Sequence, residues 1–327
     1  MNKIIYQKES SKASQIIKEK EPPKNTQISI IQSDNYQTLL NYYPSTFKPK
    51  GTLLIIHGMA EHNLRYQNFI NLLNNNEYEV YTYDQRGHGI DKDLSELGHF
   101  SDKNGYKIVI SDSLNIIDYI QKQNRTSRFF IFGHSMGSII LRNIIQEFDG
   151  IDGAIISGTT YPNTLKIYMG EIITAIAKLT FGPKHISPFL NKLLFSSKNY
   201  TKFTKTSSFG WLTRDMSQVN NYNIDKYCGF NCTTSFYNDL VLLTKKAGLK
   251  KNITKTRRDL PLFIISGDQD AVSSNGQEVI KLINKLKSLG FLNISYQIYS
   301  QARHELLNEI NKKDIMNDII NWLENND

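Results

Sequence analysis

The chain has 327 residues, 39% hydrophobic, 21% charged and 11% aromatic, which excludes a disordered tail, a collagen-like fibre and a mini-protein. A chain this long buries roughly 75% of its unfolded surface, so one large or two small domains need no staples; Cys228 and Cys232, its two cysteines, make neither a disulfide framework nor a four-cysteine zinc site and point to a reducing compartment. The net charge of +8 reflects a lysine-rich composition rather than a nucleic-acid partner, because the densest basic stretch, from Lys245 to Arg258, is broken by Gly, Asn, Thr and Ile.

Residues 1–25 are polar, end in Glu21-Pro22-Pro23-Lys24, and are expected to form a loosely held arm. Met1 to Lys8 carries no apolar h-region, and no run of 18 apolar residues occurs, so a soluble, cytoplasmic chain is expected. Gln27–Ile31 and Gln37–Tyr43 read as two antiparallel strands. Thr52–Ile56, Glu79–Tyr83, Arg128–Phe132, Gly153–Ser157, Leu260–Ser266 and Asn293–Tyr299 read as buried strands. Helical patterns fall near Tyr66–Asn75, Lys107–Gln123, Met136–Glu147, Gln277–Leu289 and Asp314–Glu324. Such alternation means an α/β fold, a parallel sheet with helices on both faces. It breaks over 161–258, where Leu165–Leu179, Pro188–Leu194 and Thr233–Lys245 read as helices without a convincing strand. That insertion is expected to cap the carboxyl edge of the sheet, where ligands bind in open α/β sheets. The expected division is an arm over 1–25, a core over 26–160 and 259–327, and a cap over 161–258.

Gly133-His134-Ser135-Met136-Gly137 stands between a buried strand and an amphipathic helix, the context of a nucleophile elbow that exposes Ser135 Oγ above the sheet edge. A serine hydroxyl needs a base, held in its tautomer by a carboxylate. Of seven histidines, only His304 lies between the last strand and the last helix, where the order Ser, acid, His puts the base. His134 adjoins Ser135, with its side chain expected to point away from the reacting centre. The acid comes from Ser266-Gly267-Asp268-Gln269-Asp270. Asp270 is preferred, because the loop must pass the strand end to reach an imidazole, leaving Asp268 to brace the turn. The oxyanion needs two backbone N–H donors, Met136 after the nucleophile and Met59 in the loop after the third strand. His57 and His62 would give a metal two ligands without a third, so no metal is expected. Phosphate-binding glycine motifs are absent, and Asp84-Gln85-Arg86-Gly87-His88-Gly89 reads as a tight structural turn.

His57-Gly58-Met59-Ala60-Glu61-His62 with Arg65-Tyr66, Asp84-x-Arg86-Gly87-His88-Gly89, Gly133-x-Ser135-x-Gly137, Gly267-Asp268-Gln269-Asp270 and Arg303-His304-Glu305 together resemble the α/β-hydrolase family of monoacylglycerol lipases and lysophospholipases, also grouped as serine aminopeptidase S33-like. The resemblance runs from about residue 26 to the C-terminus. It implies an eight-stranded, mostly parallel sheet, a helical cap, a Ser135, Asp270 and His304 triad, and an oxyanion hole at Met59 and Met136. It adds substrate contacts for Glu61, Arg65 and His134 near the polar end of the pocket, with a local ion pair bracing the loop as the other reading of Glu61 and Arg65. Gly182-Pro183-Lys184 and Trp211-Leu212-Thr213-Arg214-Asp215 resemble the caps of bacterial lysophospholipase-like members. No H-G-G-P-G loop of the proline iminopeptidase type is present, which counts against peptidase action. The expectation is hydrolysis of a small-molecule ester or lipid without metal or cofactor. Short-chain carboxylesterase, thioesterase and a non-catalytic binding protein are the rivals. Ile167, Tyr168, Ile172, Ile173, Ile176, Leu179 and Phe181 of the cap are expected to line an acyl pocket, to touch a membrane peripherally, or to form cap core.

Overall fold

The computed structural model describes residues 25–123, 126, 128–203 and 207–326. The expected N-terminal arm therefore lies, Asn25 apart, outside the described residues. Eight strands, β1 (Thr26–Ile31), β2 (Gln37–Tyr43), β3 (Gly51–Ile56), β4 (Tyr78–Tyr83), β5 (Phe129–His134), β6 (Gly153–Ser157), β7 (Leu262–Gly267) and β8 (Ile294–Tyr299), form one sheet in the order β1-β2-β4-β3-β5-β6-β7-β8. β2 is antiparallel to both β1 and β4, and every other pair is parallel.

The central strands are buried on both faces because successive side chains feed opposite cores. In β5, Phe129 and Ile131 join one apolar cluster and Phe130 and Phe132 the other. The first cluster packs helices α2 (Gly105–Gln123), α3 (Met136–Ile144) and α10 (Gln277–Ser288), and the second packs α1 (Gln67–Asn75) and α11 (Lys312–Asn325). β8 departs from the expected buried strand. It is the last strand of the sheet, with β7 its one neighbour, and Ser295, Tyr296 and Gln297 stay exposed.

Between β6 and β7 the chain runs through α4 (Thr164–Phe181), α5 (Pro188–Leu194), α6 (Lys198–Thr201), α7 (Met216–Ile224), α8 (Thr234–Gly248) and α9 (Lys250–Ile253). Side-chain caps start four of them: Asn163 accepts from Lys166 N–H, Ser187 from Leu190, Asp215 from Ser217 and Thr233 from Phe236. α8 packs on α3 and α2 as well as on α4, so the inserted cap is anchored to the core by one of its own helices.

Candidate active site

β5 ends at His134 and α3 begins at Met136, so Ser135 alone makes the turn, at φ 52° and ψ −119°. A positive φ costs a residue with a side chain of order 1–3 kcal/mol and persists where the surroundings over-determine it. Here Ser135 N–H donates to Ser157 O of β6 (2.9 Å), and Ser138 N–H closes the first helical turn on Ser135 O (3.0 Å). The flanking glycines make the approach sterically feasible. A Cβ on Gly133 would stand 2.6 Å from Gly137 O, and one on Gly137 would collide with Ile56 O of β3.

Asp270 and His304 leave the carboxyl ends of β7 and β8, which pair Gly267 with Tyr299. Asp270 Oδ1 lies 3.0 Å from His304 Nδ1. The carboxylate also accepts from Val272 N–H (2.9 Å, Oδ1) and Ser266 Oγ (3.3 Å, Oδ2). Both side chains are buried. Burial by itself disfavours charge on each, but their mutual attraction and hydrogen bond prevail: His304 is raised above the ordinary histidine value and Asp270 is lowered. The bracing expected of Asp268 thus falls to Asp270 itself, since Asp268 Oδ1 is buried without a hydrogen-bond partner. A carboxylate anchored by a backbone N–H cannot swing from the imidazole.

His134 does not point away from the centre. Its ring centroid is 4.7 Å from that of His304, and both rings line the same cavity as Ser135. Burial, with the His304 charge beside it, pushes His134 down to about 4, so it stays a neutral wall.

Met59 and Met136 line the same cavity as Ser135. The loop carrying Met59 is held from below. Gly58 N–H donates to Glu61 Oε1 (2.6 Å), Ala60 N–H to His88 Nε2 (3.1 Å), and Gln85 N–H to His57 Nε2 (3.0 Å). The opposite nitrogens, His57 Nδ1 and His88 Nδ1, face Gly58 O (2.7 Å) and Arg86 O (2.9 Å), so both imidazoles are neutral linkers with the proton on Nδ1. Burial drives His88 down to about 3. Gly87 and Gly89 take φ of 65° and 105°. The Arg86–Gly89 segment is therefore the tight turn expected of it, with Arg86 forked onto Asp34 and Asp112.

Glu61 lines the cavity, whereas Arg65 stands one layer behind, joined to the wall through carboxylates. Arg65 Nη1 donates to Glu61 Oε2 (2.7 Å) and to Glu305 Oε1 (2.6 Å), Nη2 to Glu305 Oε2 (2.7 Å), and Tyr66 OH to Glu61 Oε1 (2.9 Å). The guanidinium also stacks on Tyr222, 4.7 Å from the ring centroid. Burial would raise Glu61, but the Arg65 guanidinium, with the hydrogen bond from Gly58 N–H, holds it at about 2. This bidentate pair ties the loop after β3 to the residue beside His304.

Glu305 and Trp211, quoted in motifs but given no role, and Tyr222, not singled out at all, are the residues to which sequence reasoning assigned no function. Trp211 sits 5.3 Å from His304, ring to ring, and Glu305 N–H donates to Leu212 O (2.7 Å). The Trp211–Asp215 motif, noted only as a feature of the cap, was the signal for that packing.

Ser135 and His304 open on a cavity of about 690 Å3 whose wall is largely apolar. Ile167, Met169 and Ile173 of α4, Leu190 and Leu194 of α5, and Leu240 of α8 contribute to it. The apolar cap residues divide accordingly: Ile167 and Ile173 face the cavity, whereas Tyr168, Ile172, Ile176, Leu179 and Phe181 are exposed. No helix among the described residues is long and apolar enough to cross a membrane.

Comparison with known proteins agrees with this architecture. The family model for serine aminopeptidase, S33, matches residues 47–311. Mouse monoglyceride lipase is 23% identical over 305 residues, covering 90% of this chain and 89% of its own. The probable lysophospholipase L2 of Haemophilus influenzae is 24% identical over 262 residues, 79% of this chain and 78% of that one. Among solved structures, a thermostable carboxyl esterase of Bacillus coagulans superposes with a TM-score of 0.84 at 23% identity, covering 92% of this chain and 98% of that chain. A soluble variant of monoglyceride lipase from Saccharomyces cerevisiae gives 0.72 at 20%, covering 92% and 96%. At such identities the superpositions speak for the fold, and the family match speaks for descent. With the strand order, the strained elbow serine and the cap in place, the chain belongs to the serine aminopeptidase S33 family of α/β-hydrolases.

Proposed function

We propose that the protein is a serine hydrolase of carboxylic esters, acting on monoacylglycerol or lysophospholipid through an acyl-enzyme on Ser135. The observation that carries the reading is the cavity itself, about 690 Å3. Ser135 and the carboxylate-bound His304 are among its lining residues, and much of the rest of the wall is aliphatic, the chemistry an acyl chain needs.

In the proposed mechanism the proton of His304 sits on Nδ1, facing Asp270, and leaves Nε2 free as base. Nε2 takes the Ser135 hydroxyl proton as Oγ bonds to the ester carbonyl carbon. The Met59 and Met136 N–H groups receive the oxyanion. The carbonyl–alkoxy bond then breaks, and the imidazolium returns its proton to the departing alcohol. Water, deprotonated by the same nitrogen, attacks the acyl-enzyme and releases the fatty acid and Ser135. Asp270 orients the ring and stabilises its charge throughout. Glu61 and Glu305, on the polar part of the wall, and His134 are the contacts proposed for the alcohol part of the substrate, with Arg65 fixing the two carboxylates.

The test is hydrolysis of p-nitrophenyl esters from two to sixteen carbons, with monoacylglycerol and lysophosphatidylcholine, and Ser135→Ala as the blank. A maximum at long chains with fatty acid released from one of the lipids is the expected result, and Ser135→Ala should fall by several orders of magnitude in kcat. A maximum at two to four carbons would make the protein a small-ester carboxylesterase. Activity undiminished in Ser135→Ala would overturn the assignment altogether.

A further inference from the structure

The sequence offered a cation two histidines in one loop, His57 and His62, and no third ligand. The fold separates that pair, since both His57 nitrogens are consumed by Gln85 N–H and Gly58 O. It gives His62 other company. Asp225 and Cys228, four positions of one cap turn after α7, come down on His62, and one donor atom from each of the three lies within 4.8 Å of the other two. His62 Nε2 is 2.9 Å from Asp225 Oδ2, and His62 Nδ1 is buried with no hydrogen-bond partner. His62 and Cys228 are 5% and 8% exposed, while the Asp225 side chain, at 31%, leaves an entry from solvent.

We propose that His62, Asp225 and Cys228 form a site for a borderline-soft divalent cation of the zinc type at the junction of cap and core. An imidazole nitrogen, a carboxylate oxygen and a thiolate sulfur suit zinc or cobalt rather than magnesium or calcium, which take oxygen ligands. In a tetrahedral zinc site with bonds of about 2.0 to 2.3 Å, donor atoms stand about 3.5 Å apart. All three donors already lie within 4.8 Å of one another and His62 Nε2 stands 2.9 Å from Asp225 Oδ2, so a bound cation would call for adjustments of about an ångström or less per donor. The backbone is already fixed: Cys228 N–H donates to Asp225 O (3.0 Å), and Gly229 N–H of the cap turn to Ala60 O of the loop below (2.9 Å). Tyr227 N–H holds Asp225 Oδ1 (2.9 Å), and Tyr222 OH joins the same Ala60 carbonyl (2.8 Å). The surrounding charge favours a cation, because Arg65 near Cys228 is outnumbered by Glu61, Glu305 and Asp225.

None of the three side chains lines the substrate cavity, so the cation is a clasp between the cap turn and the loop carrying Met59, with solvent as its fourth ligand on the Asp225 side. The proposal does not depend on what the enzyme hydrolyses.

The probe is cobalt(II), titrated into the chelator-stripped full-length protein and followed by the thiolate-to-cobalt charge-transfer band in the near ultraviolet. One equivalent should saturate the band and zinc(II) should bleach it. Cys228→Ser should abolish it, Cys232→Ser should retain it, and Asp225→Asn and His62→Gln should each weaken binding at least tenfold. Asp225→Asn is the variant least exposed to folding artefacts, being the most accessible of the three, and its unchanged melting temperature would be verified alongside. Absence of the band in the wild-type protein, its persistence in Cys228→Ser, or undiminished affinity in both Asp225→Asn and His62→Gln would overturn the site.

Discussion

At the scale of single residues the decisive quantities are two buried ion pairs. In the proposed mechanism His304 serves as base only when neutral, and Asp270, with smaller help from Glu305 and Glu61, lifts its titration above the ordinary value of 6.5. The acidic limb of kcat/KM on a soluble ester is therefore expected to have its midpoint above pH 6.5. Glu305→Gln removes one of the negative charges that raise it, and should move that midpoint to lower pH; a pH profile of the two proteins checks the shift. Asp270→Asn is expected to lower kcat on the order of 10^4-fold with the fold retained. The stability attached to the pair has opposite signs at its two ends. What the raised His304 contributes is complete below the unfolded histidine value and is lost as pH climbs through the folded one, whereas the Asp270 share is lost as pH falls through its lowered value.

Arg65 is a different case. Its guanidinium neutralises two buried carboxylates, Glu61 and Glu305, and Arg65→Ala would leave them uncompensated and adjacent. The expected loss is about 3–5 kcal/mol in a urea or thermal melt at neutral pH. Sequence reasoning placed Ser135, Asp270 and His304 because each follows a strand end in a fixed order, and the fold brings Asp270 onto His304. Glu305 was quoted only as the end of the Arg303-His304-Glu305 motif and given no role, because its meaning comes from a partner 240 positions away. Asp225 and Cys228 were invisible beside His62 for the same reason.

At the scale of elements, legibility followed periodicity. All eight strands and the five core helices lay near their expected ranges, since buried runs bounded by turns are strong signals. In the cap, Leu165–Leu179, Pro188–Leu194 and Thr233–Lys245 were readable, but α6, α7 and α9 were not. α6 and α9 are single turns, and α7, Met-Ser-Gln-Val-Asn-Asn-Tyr-Asn-Ile, has too few apolar positions to show a face. Where α8 meets α2, Asp239 is buried with its Oδ2 lacking a hydrogen-bond partner, and burial pushes it up to about 6. Between its unfolded and folded values the native state holds the extra proton, so this group's contribution to stability falls as pH rises toward 6. Asp239→Asn keeps an acceptor without the charge. Its melting temperature is expected to depend less on pH than that of the wild type between pH 4 and 7, measurable by calorimetry in parallel buffers.

At the scale of the molecule, the cap divides its apolar residues between two solvents. Ile167 and Ile173 serve the cavity, while Ile176, Leu179 and Phe181 lie 57%, 86% and 62% exposed on its outside. That outer face, on a chain of net charge +8, is the surface proposed for peripheral contact with anionic lipid. Replacing Ile176, Leu179 and Phe181 by serine should reduce co-sedimentation with anionic vesicles and spare hydrolysis of a water-soluble ester, and binding by the unaltered protein should weaken with salt. Vesicle binding unaltered by the three substitutions would remove the outer face of α4 from that role.

The bond between Arg65 and Glu305 also joins the first quarter of the chain to its last thirty residues. A loop of that span closes late, since its entropy is spent before its contact is gained. The loop after β3 and the loop carrying His304 are thus expected to find each other only after the sheet between them has formed. On refolding from denaturant, hydrolytic activity is expected to return with the slowest phase seen by tryptophan fluorescence, and a chain still emerging from the ribosome has a nucleophile elbow long before it has an enzyme.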